Sequence, residues 1–200
     1  MGPKKTFYFF RHGETDWNLV HRCQGHTDIP LNKTGIKQAK SLIPRLQNSG
    51  IQVIYSSDLS RAWETGKTLA NELSIEMHRE EKLRECHFGL AEGLDHEEIF
   101  SKFGKDIWDK FREPGNEHLD LGYPEGETRR QCIERVEEVI TELCKTEHQV
   151  IGISTHGGIV RNYLHYLMPE RKTPLEIPNC VIYRADYLMD SKIWKVLGPI

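Results

Sequence analysis

Short apolar runs alternate along this chain with longer stretches in which apolar residues recur every three or four positions. Thr6 to Phe10 is rich in β-forming residues, ends at a glycine-containing turn, and reads as a buried strand. Thr34 to about Gln47 carries Ile36, Ala39, Ile43 and Leu46 at helical spacing, which predicts a helix with those residues on its buried face. "VIYSS" predicts a second buried strand, followed by a helix from near Leu59 to Leu73. Glu127 to Lys145 is amphipathic, with Cys132, Val136, Val139, Ile140 and Leu143 on or near one face. "QVIGIST" predicts a third strand and Gly158 to Leu167 another helix, before two closing strands at Val181–Ala185 and Lys192–Leu197. Residues 86–126 break this rhythm with Gly89, Gly93, Gly104, Pro114, Gly115, Gly122, Pro124 and Gly126. They predict a substrate-side insertion holding one or two short helices.

Strands alternating with helices predict an α/β fold, a three-layer α/β/α sandwich with a mostly parallel central sheet. The expected organisation is one domain over residues 1–200, with a small inserted cap region at about 86–126. A hydrophobic content of 38% in 200 residues supports a sizeable core rather than disorder. The net charge of −3 comes with scattered Lys and Arg, so no nucleic-acid partner is expected and any anion site has to be local. No apolar stretch approaches the ~18 residues of a membrane span, and Lys4 and Lys5 lead straight into the first strand rather than into a secretory segment. "MGPKKT" matches a loose acylation pattern, but Pro3 and the lack of a second anchoring signal make a plain terminus the preferred reading. The 5 cysteines are odd in number and widely spaced, which reads as reduced thiols of a cytoplasmic protein.

Ligands of such sheets gather at the carboxyl ends of the strands. Three of these ends carry unusual polar residues: Arg11-His12-Gly13-Glu14-Thr15, Ser56-Ser57-Asp58-Leu59-Ser60-Arg61, and Thr155-His156-Gly157-Gly158. Taken singly, a His after a strand is an ordinary turn residue, Arg61 a solvated helix start, and Gly157-Gly158 a tight turn that glycine enters at low steric cost. Recurrence at three equivalent positions of one sheet favours a shared site. Two guanidiniums supply charged forks for a tetrahedral oxyanion, and a phosphoryl group offers more oxygens to share among these donors than a carboxylate does. One imidazole can then attack phosphorus as a neutral base while the other donates to an oxygen. Neighbouring cations favour the neutral imidazole that a nucleophile requires.

With these residues in view, the chain resembles the histidine phosphatase superfamily, which holds the cofactor-dependent phosphoglycerate mutases and related small phosphatases. The resemblance runs through "FFRHGETDWN", "RCQGHTDIPLNKTGIKQA", "IYSSDLSRAWETG", "LRECHFGLAEG", "PEGET" and "STHGGIVR", which is nearly the whole chain. It implies that His12 is the nucleophile that becomes phosphohistidine, and that Arg11, Arg61 and His156 hold the transferring phosphoryl group. Gly157 would contribute its N–H and Asn18 a side-chain contact, with Gly13, Thr15, Gln24 and Ser57 lining the pocket. Glu85 would protonate the leaving oxygen and later activate water. Glu14 lies closer to His12 in sequence, but orienting the loop is its preferred role; Glu92 and Glu127 read as turn or helix-start residues. An acid at Glu85 implies a kcat/KM that falls from mildly acidic towards alkaline pH.

The resemblance leaves a hydrolase, which admits water to the phosphohistidine, and a mutase, which returns the phosphoryl group to a bound sugar acid. The short chain and the motifs "LRECHFGLAEG" and "RCQGHTDIPL" favour the hydrolase, and the mutase stands as the alternative. A phosphoryl-binding protein without catalysis is a third reading, disfavoured by the complete set of Arg11, His12, Arg61, Glu85 and His156. No cofactor and no metal are expected, since arginines take the place of a cation and His21, His26, His87 and His96 match no common ligand spacing. The expected partner is a small phosphorylated metabolite, chosen through 21–28 and 86–123, where Arg22, His26, His87, Trp108 and Arg112 stand. Monomer and homodimer are both left open.

Overall fold

A computed structural model describes residues 2–115 and 117–200; Met1 at the head of "MGPKKT" and Asn116 within the expected insertion lie outside the described residues. Among the described residues six strands, β1 (Lys4–Arg11), β2 (Val53–Ser56), β3 (Glu76–Arg79), β4 (Val150–Thr155), β5 (Ile182–Leu188) and β6 (Ile193–Leu197), form one sheet in the order β3-β2-β4-β1-β5-β6. The first four in that order are parallel, and β5 and β6 close the sheet antiparallel. The helices that accompany them are α1 (Asp16–Leu19), α2 (Lys33–Ser41), α3 (Ile43–Leu46), α4 (Ser60–Leu73), α5 (His96–Phe103), α6 (Lys105–Arg112), α7 (Arg129–Lys145) and α8 (Gly157–Leu167).

Alternation along β1 explains why its apolar run is continuous, because both of its faces are buried. Phe7 and Phe9 point into a core shared with Ile133, Val136 and Val139 of α7 and Ile159, Val160 and Tyr163 of α8. Tyr8 and Phe10 point to the other side, against Leu42, Leu46 and Leu69. Helices therefore cover both faces of a mixed sheet, as the sequence pattern predicts. At the registers Arg11↔Thr155 and Ser56↔Ser154, the ends of β1, β4 and β2 lie level with one another.

Two local expectations are corrected, and one strand goes unpredicted. The helix predicted from Thr34 to Gln47 is broken between α2 and α3, with Pro44 in the first turn of the second piece, and Ile36 is exposed while Leu42 fills the core. The hydrophobic pattern does not predict β3: its Glu76-Met77-His78-Arg79 sits at a sheet edge, mostly exposed, and has neither an apolar run nor a clean alternation. Glu127 does not start a helix. Thr128 caps α7 by accepting from Gln131 N–H, and Gln131 returns a bond to the Thr128 N–H, while Glu127 pairs with Arg135 at 2.8 Å.

Between β3 and α7 the chain builds a cap with α5, α6 and a small core of Ala91, Ile99 and Tyr123, to which Phe88, Phe103 and Trp108 add. Gly104 joins the two helices at φ +83°, a conformation that favours glycine. Arg129, 1% exposed, fastens this cap to α7 by donating to the carbonyls of Lys110 at 3.3 Å and Glu113 at 2.9 Å. No helix among the described residues is long and apolar enough to cross a membrane.

Replacing Arg129 with Ala removes both clamps and the packing of a side chain that is itself buried, an expected loss of about 3 kcal/mol. Urea denaturation should show that loss, and amide exchange should accelerate mainly across residues 96–112. Unchanged exchange there would mean that the cap is held by its apolar contacts alone.

Candidate active site

The loop after β1 is held by backbone packing. A side chain at Gly13 would bring its Cβ to 2.4 Å from the Gly35 carbonyl oxygen, and one at Gly35 would meet the Glu14 carbonyl oxygen at 2.1 Å. The first turn of α2 thus lies directly on the loop. Glu14 completes this junction: its carbonyl accepts from Asn32 N–H at 3.0 Å, its carboxylate from Asn32 Nδ2 at 2.9 Å, and its N–H donates to Gln38 Oε1 at 2.8 Å. Gly13 N–H donates to Thr65 Oγ1, which in turn donates to the Arg61 carbonyl, so the loop is tied to the start of α4.

Against that rigid backing, His12 is 2% exposed, and its Nδ1 lies 2.6 Å from the Gly13 carbonyl. A carbonyl only accepts, so Nδ1 carries the proton and Nε2 keeps its lone pair. His12 and His156 stand with ring centroids 5.2 Å apart. His156 caps α8, meets Ser57 Oγ through Nε2 at 2.8 Å, and buries an Nδ1 without a protein partner among the described residues. Arg11 donates to the Ile177 carbonyl at 2.6 Å; Arg61 donates to the carbonyls of Gly25 at 2.7 Å and Thr27 at 2.9 Å. The Nε of each arginine is buried and has no acceptor among the described residues. Buried donors are nearly always satisfied, so these three orphans mark a place for an acceptor-rich ligand.

Burial drives the ring of His12 well below the ordinary histidine range, and Arg11 and Arg61 press it further down. His156 is lowered in the same way, by burial first and then by Arg61 and His12. Burial also lowers Arg61, to about 10 and against the opposing pull of Glu85 and Asp28, which leaves it charged at neutral pH.

Glu85 comes to the site from a loop ahead of the cap. Its carboxylate accepts from the backbone N–H groups of Cys86 at 3.0 Å, Gly158 at 3.0 Å and Ile159 at 3.1 Å, and so sits on the N-terminus of α8. Its backbone carbonyl accepts from Arg135 at 2.8 Å and meets His26 Nε2 at 2.7 Å. Gly158 permits the approach, since a Cβ there would stand 2.6 Å from Glu85 Oε1.

A cleft of about 340 Å³ opens beside these groups, with His156 fully buried behind its wall rather than in its lining. Arg11, His12, Asn18, Gln24, Arg61, Glu85 and Gly157 line it. Gly13, Thr15 and Ser57 stand behind that wall: Gly13 in the loop packing, Thr15 as the cap of α1 and donor to Gln24 Oε1, Ser57 against His156. Sequence reasoning missed Asn179, whose Nδ2 donates to the His12 carbonyl at 3.0 Å from a loop with no motif to signal it, and also Trp17 and Arg161 in the lining. Glu92 ties the loop at His26 and Thr27 through their N–H groups. The four cap-side histidines lie in two tilted pairs, His21 against His96 with ring centroids 5.4 Å apart and His26 against His87 at 4.9 Å. Among the described residues no three His, Cys, Asp or Glu side chains are grouped to hold a metal.

The lowered histidines fix a sign for the pH dependence of stability. In the unfolded chain each imidazole takes a proton near pH 6.5, whereas in the folded chain His12 and His156 stay neutral. The unfolded state therefore binds more protons below that pH, and stability falls as pH drops from about 6.5, by up to ~1.4 kcal/mol per unit for each ring. Urea denaturation at pH 7 and pH 5 checks this, and His12→Gln should flatten the dependence by about one proton.

The profile of the histidine phosphatase superfamily (branch 1) matches residues 7–198. Among curated proteins, a probable phosphoglycerate mutase GpmB of Yersinia pestis (strain Pestoides F) is 32% identical over 184 residues, covering 90% of this chain and 84% of that protein. Its counterpart in Proteus mirabilis is 30% identical over the same shares. Among solved structures, Bacillus stearothermophilus YhfR superposes with a TM-score of 0.82 at 29% identity, covering 96% of this chain and 95% of that one. A mutant phosphoserine phosphatase from Entamoeba histolytica, in complex with phosphoserine, gives 0.80 at 26% identity over 97% and 95%. A match this extensive, on a chain whose three strand ends converge as described, places the protein in the histidine phosphatase superfamily.

Proposed function

We propose that this protein hydrolyses a phosphomonoester of a small metabolite through a phosphohistidine on His12. The observation that carries this reading is the His12 ring itself: Nδ1 is committed to the Gly13 carbonyl, and the neutral Nε2 is left beside two buried guanidiniums with unpartnered Nε–H groups. In the first step the Nε2 lone pair forms the N–P bond as the ester P–O bond breaks. Arg11, Arg61 and His156 hold the phosphoryl oxygens through that transfer. Glu85 gives its proton to the departing oxygen. In the second step Glu85 takes a proton from water, the water oxygen forms the new P–O bond, the N–P bond breaks, and inorganic phosphate leaves.

Glu85 faces this task with its carboxylate already accepting three backbone N–H bonds. Its proton is accordingly supplied by the substrate, whose monoester phosphate carries a second ionisation near pH 6. Binding of the monoanion lets the proton pass to Glu85 as the phosphate charge meets the two guanidiniums. This accounts for a falling kcat/KM at alkaline pH through the ionisation of the substrate itself.

The names of the curated relatives favour a second reading, phosphoryl transfer between positions of a sugar acid. Product analysis separates the two: inorganic phosphate supports the hydrolase and an isomer without phosphate release supports the mutase. Either way His12→Ala is expected to lower kcat by at least about a thousandfold, and phosphate release at the wild-type rate would overturn the phosphohistidine. Glu85→Gln is expected to remove most of the turnover while the alkaline limb, which follows the substrate's own ionisation, persists; turnover at the wild-type rate would reassign the acid. Chelators should leave turnover unchanged.

A further inference from the structure

Between α8 and β5 the chain runs from Met168 to Val181 without helix or strand, yet it holds both residues at the carboxyl end of β1. The Ile177 carbonyl accepts from Arg11 at 2.6 Å, and Asn179 Nδ2 donates to the His12 carbonyl at 3.0 Å. Leu175 and Ile177 are buried in the main core, so the peptide groups beside them need partners within the protein. The Glu176 carbonyl finds one in the Tyr183 hydroxyl at 3.0 Å. Backbone donors are scarcer. Pro174 and Pro178 have no N–H, and from Lys172 to Pro178 the N–H of Leu175 alone has a protein acceptor among the described residues, His165 Nε2 at 3.1 Å.

His165 is 2% exposed and stands outside the cleft lining. To accept from an N–H its Nε2 must keep its lone pair, so Nδ1 carries the hydrogen, and that Nδ1 is buried without a partner among the described residues. Burial lowers the ring's pKa to about 4, and Arg161, Arg129 and Arg171 press it the same way, so the acceptor persists at neutral pH. An apolar side chain would fill this place without an orphan donor, and what the imidazole adds is the acceptor. Three α8 residues at intervals of four face the same region. A Cβ on Gly157 would stand 3.3 Å from Arg11 Nε, Arg161 Nε donates to the Leu175 carbonyl at 3.4 Å, and His165 takes the Leu175 N–H. The helix thus grips Leu175 by both backbone groups, two residues ahead of the carbonyl that holds Arg11.

We propose that His165 is a positioning residue for phosphoryl transfer: by fixing the Leu175 N–H it sets the Ile177 carbonyl, and through that carbonyl the guanidinium of Arg11. This rests on the phosphohistidine reading given above, and His165 itself touches no substrate. The Nε of Arg11 has no protein acceptor among the described residues, so its direction is decided by the Nη1 bond to Ile177. A guanidinium turned out of line stabilises the transferring group less, even though its charge remains.

Calorimetric binding of orthovanadate, which takes up the five-coordinate geometry of phosphoryl transfer, tests this role independently of turnover. His165→Leu fills the space without an acceptor and should weaken binding at least about fivefold. His165→Gln, whose Oε1 reaches the place of Nε2, should stay within about twofold of the wild type. His165→Asn, whose oxygen stops short of Leu175, should bind as weakly as His165→Leu and keeps the contrast with Gln readable if the Leu variant does not fold. In an Arg11→Lys background, where there is no guanidinium to orient, the loss on His165→Leu or His165→Asn should shrink below about twofold. In an Arg61→Lys background it should persist in full. A residue that merely stabilises the fold would give the same loss in all three backgrounds. Equal losses of that kind, or a Gln variant no better than Leu and Asn, would overturn the positioning role while leaving the hydrolase reading intact. A wild-type protein that binds neither orthovanadate nor inorganic phosphate would overturn the phosphoryl site and the role together. An Arg11-dependent loss in a protein that releases phosphate from no monoester would keep the role in phosphoryl transfer and sink the hydrolase.

Discussion

The structure is organised around a cost: Arg11 and Arg61 are taken out of water beside two histidines, with neither guanidinium in a close carboxylate pair among the described residues. Arg61 reaches Asp28 only at 3.9 Å, and the guanidinium of Arg11 donates to a backbone carbonyl. Burial of charge is expensive unless partners are fixed in advance. The fold meets this with carbonyls that cannot move away, those of Gly25, Thr27 and Ile177, each in a loop pinned from another direction. Both terminal nitrogens of Arg61 are thereby engaged, and its Nε is left for the ligand. Burial first, and then the same cations, keep His12 neutral, so one constraint shapes both the unpaired guanidinium Nε groups and the imidazole beside them.

Preorganisation of this kind needs rigidity in the sheet rather than in any one loop. β4 runs between β1 and β2, and its register sets Arg11, Thr155 and Ser56 at one level. The bonds from His12 N–H to the Thr155 carbonyl and from Ser57 N–H to the Ser154 carbonyl, both 3.0 Å, carry the ladder one residue past the strands. A one-residue slip would invert every side chain along β1 and exchange its two cores, so the hydrophobic faces that stabilise the sheet also fix the site. Close contact between Gly13 and Gly35 then removes the remaining freedom of the loop.

Much of this was legible in the residues. The alternating strands and helices, the three polar strand ends and the glycine-broken insertion all rest on local patterns that physics reads without tertiary knowledge. What escaped depended on context. β3 gains its strand character from pairing with β2, since Glu76, His78 and Arg79 have no apolar reason to extend. Ile36 has helical spacing with Ala39 and Ile43, yet Pro44 redirects the chain and passes the core position to Leu42. Asn179 reaches His12 across the whole fold, and its neighbours Pro178 and Cys180 carry no sign of that task. Arg161 lies inside "STHGGIVR", but its place in the cleft lining follows only from the fold.

Glu85 shows how the elements become one device. Its carboxylate closes the N-terminus of α8, the helix whose cap is His156 and whose second residue, Gly158, is small enough to admit it. Its carbonyl is gripped by Arg135 of α7, which also binds Glu127, and Glu127 accepts from His87 N–H at the entry to the cap. Glu85, the start of α8 behind His156 and the cap thus share one hydrogen-bonded chain. A carboxylate so held cannot shift without disturbing the first turn of α8, and the loop that carries it cannot shift without releasing Arg135 and the entry to the cap.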